Sequence, residues 1–180
     1  ALRLRLAAGT KRFGARSAGC GFHAYTPGKY RGSSELRTRA YAVKAGETLS
    51  DQWDLSGFPD SRYEGRVCGP NGFFRRLAGS ATDPAVTAAC RDAGSSVEIV
   101  VRNNERNRDF TIQIADRSYG QDPVAFTLRA GAERTVVLDI ARSQRWYDLA
   151  VSLEGIGGYE RHYAGRAENG EHGISDPAMA

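Results

Sequence analysis

The 180-residue chain carries 25 Lys/Arg against 21 Asp/Glu and is 41% hydrophobic, an ordinary globular composition. No apolar run approaches the roughly 18 residues needed to span a bilayer, so composition offers no candidate membrane-spanning helix. Charge is uneven: residues 1–93 hold 15 Lys/Arg against 8 Asp/Glu, and residues 94–180 hold 10 against 13. A basic first half suits anionic partners such as phosphate or lipid headgroups, although a solvated charged surface is the simpler explanation.

Read in chain order, strand signals dominate. Leu2-Arg-Leu-Arg-Leu6 alternates strictly, which puts three leucines on one face and two arginines on the other. Further strands are predicted at 20–26, 36–43, 48–53, 62–69 and 73–78. Between them fall turn clusters, including Pro27-Gly28, Ala45-Gly46, Pro59-Asp60 and Gly69-Pro70-Asn71-Gly72. In the last, Pro70 is expected to fix φ at the second turn position, with Asn71 and Gly72 tolerating positive φ. Residues 80–95 lack strand periodicity, and Asp83 before Pro84 reads as the N-cap of a single helical turn reaching Ala89. Val97-Glu-Ile-Val-Val101 then opens a second series, with strands predicted at 109–115, 124–129, 134–140, 147–153 and 159–164. The polar run Arg102–Arg108 is expected to be a hairpin loop rather than a nucleic-acid patch. The Gly-rich tail 168–180 reads as a loose end or a strap across the second series.

The two series repeat one another. Gly46 and Asp54 recur 85 positions later as Gly131 and Asp139, Tyr63 recurs after 84 as Tyr147, and Ala78-Gly79 recurs after 86 as Ala164-Gly165. So constant an offset implies internal duplication. The predicted fold is therefore all-β, two tandem small β-sandwiches of immunoglobulin-like type, residues 1–88 and 89–180. The chain has neither a signal peptide nor an initiator Met, and it reads as a piece of something longer.

Little in either copy looks like chemistry. Cys20, Cys68 and Cys90 are too few and too irregular for a disulfide framework or a zinc site, although an exported chain has room for one disulfide. His23, His162 and His172 stand apart, with no acid or cysteine at ligand spacing, so no metal or other cofactor is expected. Asp54 and Asp139 occupy equivalent places in different copies and read as caps rather than as a catalytic pair. No nucleophile elbow, phosphate loop or dinucleotide fingerprint appears, and no catalytic residue is assigned. The sharpest local motif is Phe73, Phe74, Arg75 and Arg76 after the Pro-Asn-Gly turn. It reads first as an aromatic plug of a structural hairpin, and second as a contact for a partner or a membrane.

Taken together, Phe22-His-Ala-Tyr25, Tyr41-Ala-Val-Lys-Ala-Gly46, Trp53-Asp54-Leu55, Gly69-Pro-Asn-Gly-Phe-Phe-Arg75, Trp146-Tyr-Asp-Leu149 and Gly173-Ile-Ser-Asp-Pro177 resemble the C-terminal region of bacterial phosphocholine-specific phospholipases C. That resemblance covers nearly the whole chain. It implies a secreted or periplasmic parent that hydrolyses phosphatidylcholine, and often sphingomyelin, through a catalytic domain preceding this region. It also implies a non-catalytic accessory role here, with that catalytic domain and a phospholipid surface as partners and no nucleic acid. The competing reading is a stand-alone carbohydrate- or protein-binding sandwich.

Overall fold

A computed structural model of the chain describes residues 1–33, 37–170 and 172–179. It is all-β, and its residues fall into two compact units, Ala1–Ala81 and Thr82–Ala180.

Unit 1 contains β1 (Leu2–Ala7), β2 (Cys20–Tyr25), β3 (Thr38–Val43), β4 (Thr48–Trp53), β5 (Arg62–Cys68) and β6 (Phe74–Ser80). Strand β1 pairs antiparallel with β4, while β6, β5, β2 and β3 lie side by side in that order. Unit 2 contains β7 (Val86–Asp92), β8 (Ser96–Asn103), β9 (Phe110–Asp116), β10 (Val124–Leu128), β11 (Glu133–Asp139), β12 (Trp146–Leu153) and β13 (Glu160–Arg166). Its two sheets run β11-β8-β7 and β10-β9-β12-β13. Every pairing of unit 1 has its counterpart: β1–β4 matches β8–β11, β2–β3 matches β9–β10, β2–β5 matches β9–β12, and β5–β6 matches β12–β13. The repeat read in the sequence is thus a repeat of topology, two sheets per copy with β1→β2 and β8→β9 crossing between them. That crossing corrects one expectation: residues 104–109 connect two sheets and do not close a hairpin.

Strand β7 is the larger departure. Residues expected to form a helical turn instead extend along β8, from Val86 opposite Asn103 to Asp92 opposite Val97. The expected limit between residues 88 and 89 falls inside this strand. Val86, Ala88 and Cys90 alternate toward the core, and the hydroxyls of Tyr159 and Tyr163 donate to the carbonyls of Val86 (3.0 Å) and Ala88 (2.6 Å). Pairing along β8 together with these two bonds outweighs a helix-start signal worth about 1 kcal/mol.

Alternation explains the cores. Leu2, Leu4 and Leu6 face inward, and Arg3, Arg5 and Ala7 face outward. In unit 2, Val97, Ile99 and Val101 are completely buried against Ile112, Ile114, Leu149 and Val151 in one continuous cluster. Each such side chain contributes roughly 1.5–3 kcal/mol of burial. Unit 1 divides its core in two, with Leu4, Leu6, Phe22, Ala24, Val43 and Val67 forming one part and Leu2, Tyr30, Trp53 and Phe58 the other. Volume is exchanged between the copies. Gly65 stands where unit 2 has Leu149, and a Cβ there would lie 2.7 Å from Leu2 Cδ2, so Leu2 fills the space that the glycine vacates.

The tail is a strap. The indole of Trp146 donates to the carbonyl of Ile174 (3.3 Å), and the Tyr119 hydroxyl donates to Asp176 (2.9 Å). Gly173 lies against the Arg166 guanidinium, whose side chain is 6% exposed; a Cβ at Gly173 would approach Nη1 to 2.3 Å, so a larger residue there would require the guanidinium to shift.

Candidate functional site

The motif at residues 73–76 follows a two-residue turn. Pro70 is its first residue rather than its second: Asn71 and Gly72 are the central pair, both at positive φ (54° and 68°), and Phe73 N–H donates back to the Pro70 carbonyl. Two positive φ angles are the hairpin geometry that matches strand twist. Phe73 packs edge-on against Phe22 at 5.6 Å, and the Arg75 guanidinium lies 4.3 Å above the Phe73 ring while donating to the Phe74 carbonyl. All four side chains are half-buried. The second copy repeats the arrangement, with Arg161 4.2 Å above Tyr159 and donating to the Glu160 carbonyl.

Arg76 reaches Glu64 on the neighbouring strand. Its Nε and Nη2 donate to the two carboxylate oxygens at 2.8 and 2.9 Å, and Arg66 adds a third bond at 2.7 Å. Hydrogen bonds from Arg76 above all, then from Arg66, outweigh desolvation and pull Glu64 down to about 2. A carboxylate whose pKa falls on folding stabilises the fold above its unfolded value and loses that contribution as pH drops through the folded one. With a quarter of the Glu64 side chain exposed, solvent screening reduces the gain to about 1–2 kcal/mol. Between pH 5 and pH 2 the wild type is therefore expected to lose about that much more stability than Glu64→Gln in denaturant titrations. Parallel curves for the two proteins would contradict the assignment.

Unit 2 places a different pair at the same positions. Asp148 stands for Glu64 and His162 for Arg76, and they are joined by a short hydrogen bond between His162 Nε2 and Asp148 Oδ1. Around them the network extends: Ser118 Oγ donates to Asp148 Oδ2, Arg117 Nη1 lies 3.3 Å from His162 Nδ1, and Arg117 Nη2 donates to Glu160. Arginine can only donate, so His162 Nδ1 accepts and Nε2 carries the proton toward Asp148. Burial pushes Asp148 up, but the hydrogen bonds from His162 and Ser118 more than offset it and hold the carboxyl below its usual range.

This group contains serine, histidine and aspartate in the wrong order for nucleophilic catalysis. An activated serine needs the imidazole between itself and the acid. Here the carboxylate sits in the middle, and the second histidine nitrogen is taken by Arg117. What the arrangement does is cross-link β12, β13 and the end of β9. Sequence reading missed it because residues 117, 148 and 162 meet only through strand register.

The remaining candidates make local contacts within their own units. Asp139 caps a turn by accepting from Ala141 N–H at 2.8 Å. Asp54 makes no side-chain cap and instead pairs with Arg31 at 2.8 Å on the exposed surface. Trp53 is 2% exposed and packs with Tyr30 and Phe58. Among the described residues no cluster of three or more His, Cys, Asp or Glu has metal-binding geometry, and no disulfide joins the cysteines. Among the described residues no helix is long and apolar enough to cross a membrane.

Comparison with known proteins agrees with the duplicated architecture. The family described as bacterial phospholipase C, C-terminal domain, matches at residues 1–80 and 82–166. Over 153 residues, 78% of this chain and 21% of the relative, the sequence is 31% identical to the non-hemolytic phospholipase C of Burkholderia pseudomallei. It is 30% identical to the non-hemolytic phospholipase C of Pseudomonas aeruginosa over 81% of this chain and 22% of that protein. For the hemolytic phospholipase C of the same organism the identity is 30%, over 74% and 19%. The chain thus spans about a fifth of the length of the curated relatives it matches. Two copies of one sandwich, each closed by an acid–base cross-link between its last two strands, belong to the bacterial phospholipase C C-terminal domain family.

Proposed function

We propose that this region is a non-catalytic accessory part of a secreted bacterial phospholipase C, supporting the catalytic domain and helping to present it to lipid. In this reading the parent hydrolyses phosphatidylcholine or sphingomyelin to phosphocholine and diacylglycerol or ceramide, and its catalytic groups lie outside residues 1–180. The observation that carries the proposal is the fate of the polar side chains. Glu64, Arg66 and Arg76 in one copy, and Ser118, Asp148, His162, Arg117 and Glu160 in the other, bond to one another within their own unit. Duplication has kept a scaffold and its cross-link, which suits a module that stabilises a neighbour. Phe73, Phe74, Arg75 and Arg76 are proposed as part of the face that meets that partner.

The test compares three proteins with a chromogenic phosphocholine ester: the full parent, the parent lacking this region, and the 180-residue chain alone. The chain alone is expected to give no turnover above buffer. The truncated parent is expected to lose thermal stability and yield of folded protein. Turnover by the isolated chain would overturn the proposal, as would a truncated parent of unchanged stability and activity.

A further inference from the structure

The two copies differ most at one end. In unit 2 the β8–β9 crossing is held from within: buried Asn103 donates from Nδ2 to the carbonyls of Arg108 (2.8 Å) and Leu128 (3.2 Å), and its Oδ1 accepts from Glu105 N–H. Glu105 and Asp109 cap neighbouring backbone at Ala85 and Ala130. In unit 1 the residue equivalent to Asn103 is Ala8, whose methyl group cannot hydrogen-bond the crossing. The loop that follows is longer and exposed from Gly9 to Arg16.

That loop carries Lys11, Arg12 and Arg16 around Phe13, whose ring is 40% exposed. The turn carrying Lys44 is tied to it, because Gly46 N–H donates to the Ala8 carbonyl (2.7 Å) and Ala8 N–H donates to the Glu47 carbonyl (3.2 Å). A Cβ at Gly19 would lie 3.5 Å from the Lys44 Cα, so both ends of the loop touch this turn. Across residues 9–19 and 44–47 stand four cations and a single acid, Glu47. Positive charge continues along the outer face of β1: Arg3 and Arg5 face neutral Gln52 and Ser50, and neither has an acidic partner among the described residues. On the matching face of unit 2, Arg102 pairs with Glu133, and Glu98 is a second acid.

Phe13 is thus an exposed aromatic residue flanked along the chain by cations. It suits the boundary of an anionic bilayer, where the ring sits at headgroup level and the cations meet phosphate. We propose that the end of unit 1 formed by the loop 9–17 and the turn 44–47, continued by Arg3 and Arg5, is a contact site for anionic phospholipid, and that unit 2 has no such site. The proposal rests on the lipid-facing reading above and locates it away from residues 73–76, whose two arginines are already held by Phe73, the Phe74 carbonyl and Glu64.

The test is co-sedimentation of the 180-residue chain with vesicles of phosphatidylcholine, with and without phosphatidylglycerol. Wild type is expected to bind the anionic vesicles, and to lose them as salt rises. Lys11→Ser/Phe13→Ser/Arg16→Ser removes two cations and the ring from exposed positions, and is expected to weaken binding at least roughly 25-fold, about fivefold per cation. The charge-matched control Arg106→Ser/Arg129→Ser, in the equivalent loops of unit 2, is expected to change binding less than about twofold under the same rule. Equal losses in both variants, or none in the first, would overturn this site while leaving the lipid-facing reading intact. Failure of wild type to bind any vesicle would overturn that reading itself.

Discussion

Trp53→Ala is expected to destabilise unit 1 by about 3–5 kcal/mol, the range for emptying a buried large aromatic site. Trp53 is 2% exposed, stacks on Phe58 at 6.1 Å, touches Tyr30 at 5.2 Å, and lies under the Arg39 guanidinium at 4.7 Å. The cluster cannot collapse easily around the void. Tyr30 is pinned by a hydrogen bond from Asp54 N–H to its hydroxyl, and Gly57 already presses on its ring, where a Cβ would lie 2.4 Å away. A smaller change separates shape from polarity. The Trp53 Nε1–H makes no hydrogen bond of good geometry among the described residues, although the Tyr41 hydroxyl lies near enough to feel it. A buried donor without a well-formed bond costs up to about 1–3 kcal/mol, so Trp53→Phe gives up part of a ring but also removes that cost. It is expected to fall within about 1 kcal/mol of wild type, because the two effects oppose. Urea titration followed by circular dichroism measures both variants, and Trp146, then the remaining tryptophan, follows unit 2 by fluorescence. A loss below about 1 kcal/mol for Trp53→Ala would mean the aromatic cluster relaxes in a way its packing does not suggest.

Much of this fold was legible because its determinants are local. Leu2-Arg-Leu-Arg-Leu6 and Val97–Val101 alternate, and alternation alone assigns a buried and a solvated face. Asn71-Gly72 reads as a turn because few residues accept two successive positive φ angles. The duplication was visible for the same reason, since turn glycines and strand-end residues are tied to backbone geometry. What escaped was set by tertiary partners. Strand β7 was hidden because its inward residues are small and Pro84 resembles a helix start, whereas the tyrosine hydroxyls that hold it come from Tyr159 just before β13 and Tyr163 within it, more than seventy residues away. The candidate site escaped for the same reason. Asp148 and His162 lie fourteen residues apart, Arg117 and His162 forty-five, and neither spacing has meaning until β12 pairs with β13 and β9. Their equivalence to Glu64 and Arg76 is invisible at the level of residue type, because Asp for Glu and His for Arg obscures a shared geometry.

That equivalence yields a decisive exchange. His162→Ala leaves Asp148, whose side chain is 20% exposed, without its principal donor, and leaves Arg117 Nη1 without its acceptor while Nη2 keeps Glu160. Breaking a well-buried pair costs about 3–5 kcal/mol, and the partial exposure here lowers the expected loss to about 2–3 kcal/mol. Asp148→Glu/His162→Arg copies the Glu64–Arg76 pair into unit 2. If the cross-link is what matters, this double variant is expected to recover to within about 1 kcal/mol of wild type, since a guanidinium on a carboxylate supplies two charge-assisted bonds in place of one. Chemical denaturation of wild type, His162→Ala and the double variant reads the result directly. In the full-length parent, turnover of a phosphocholine ester is expected to stay unchanged in the double variant. A double variant as unstable as His162→Ala would show that the shorter imidazole–carboxylate geometry is required, and a stable one with lost turnover would move the imidazole from scaffold to chemistry. The first copy has already made the substitution and kept the same strand pairing around Glu64 and Arg76, which is why recovery is the expected result.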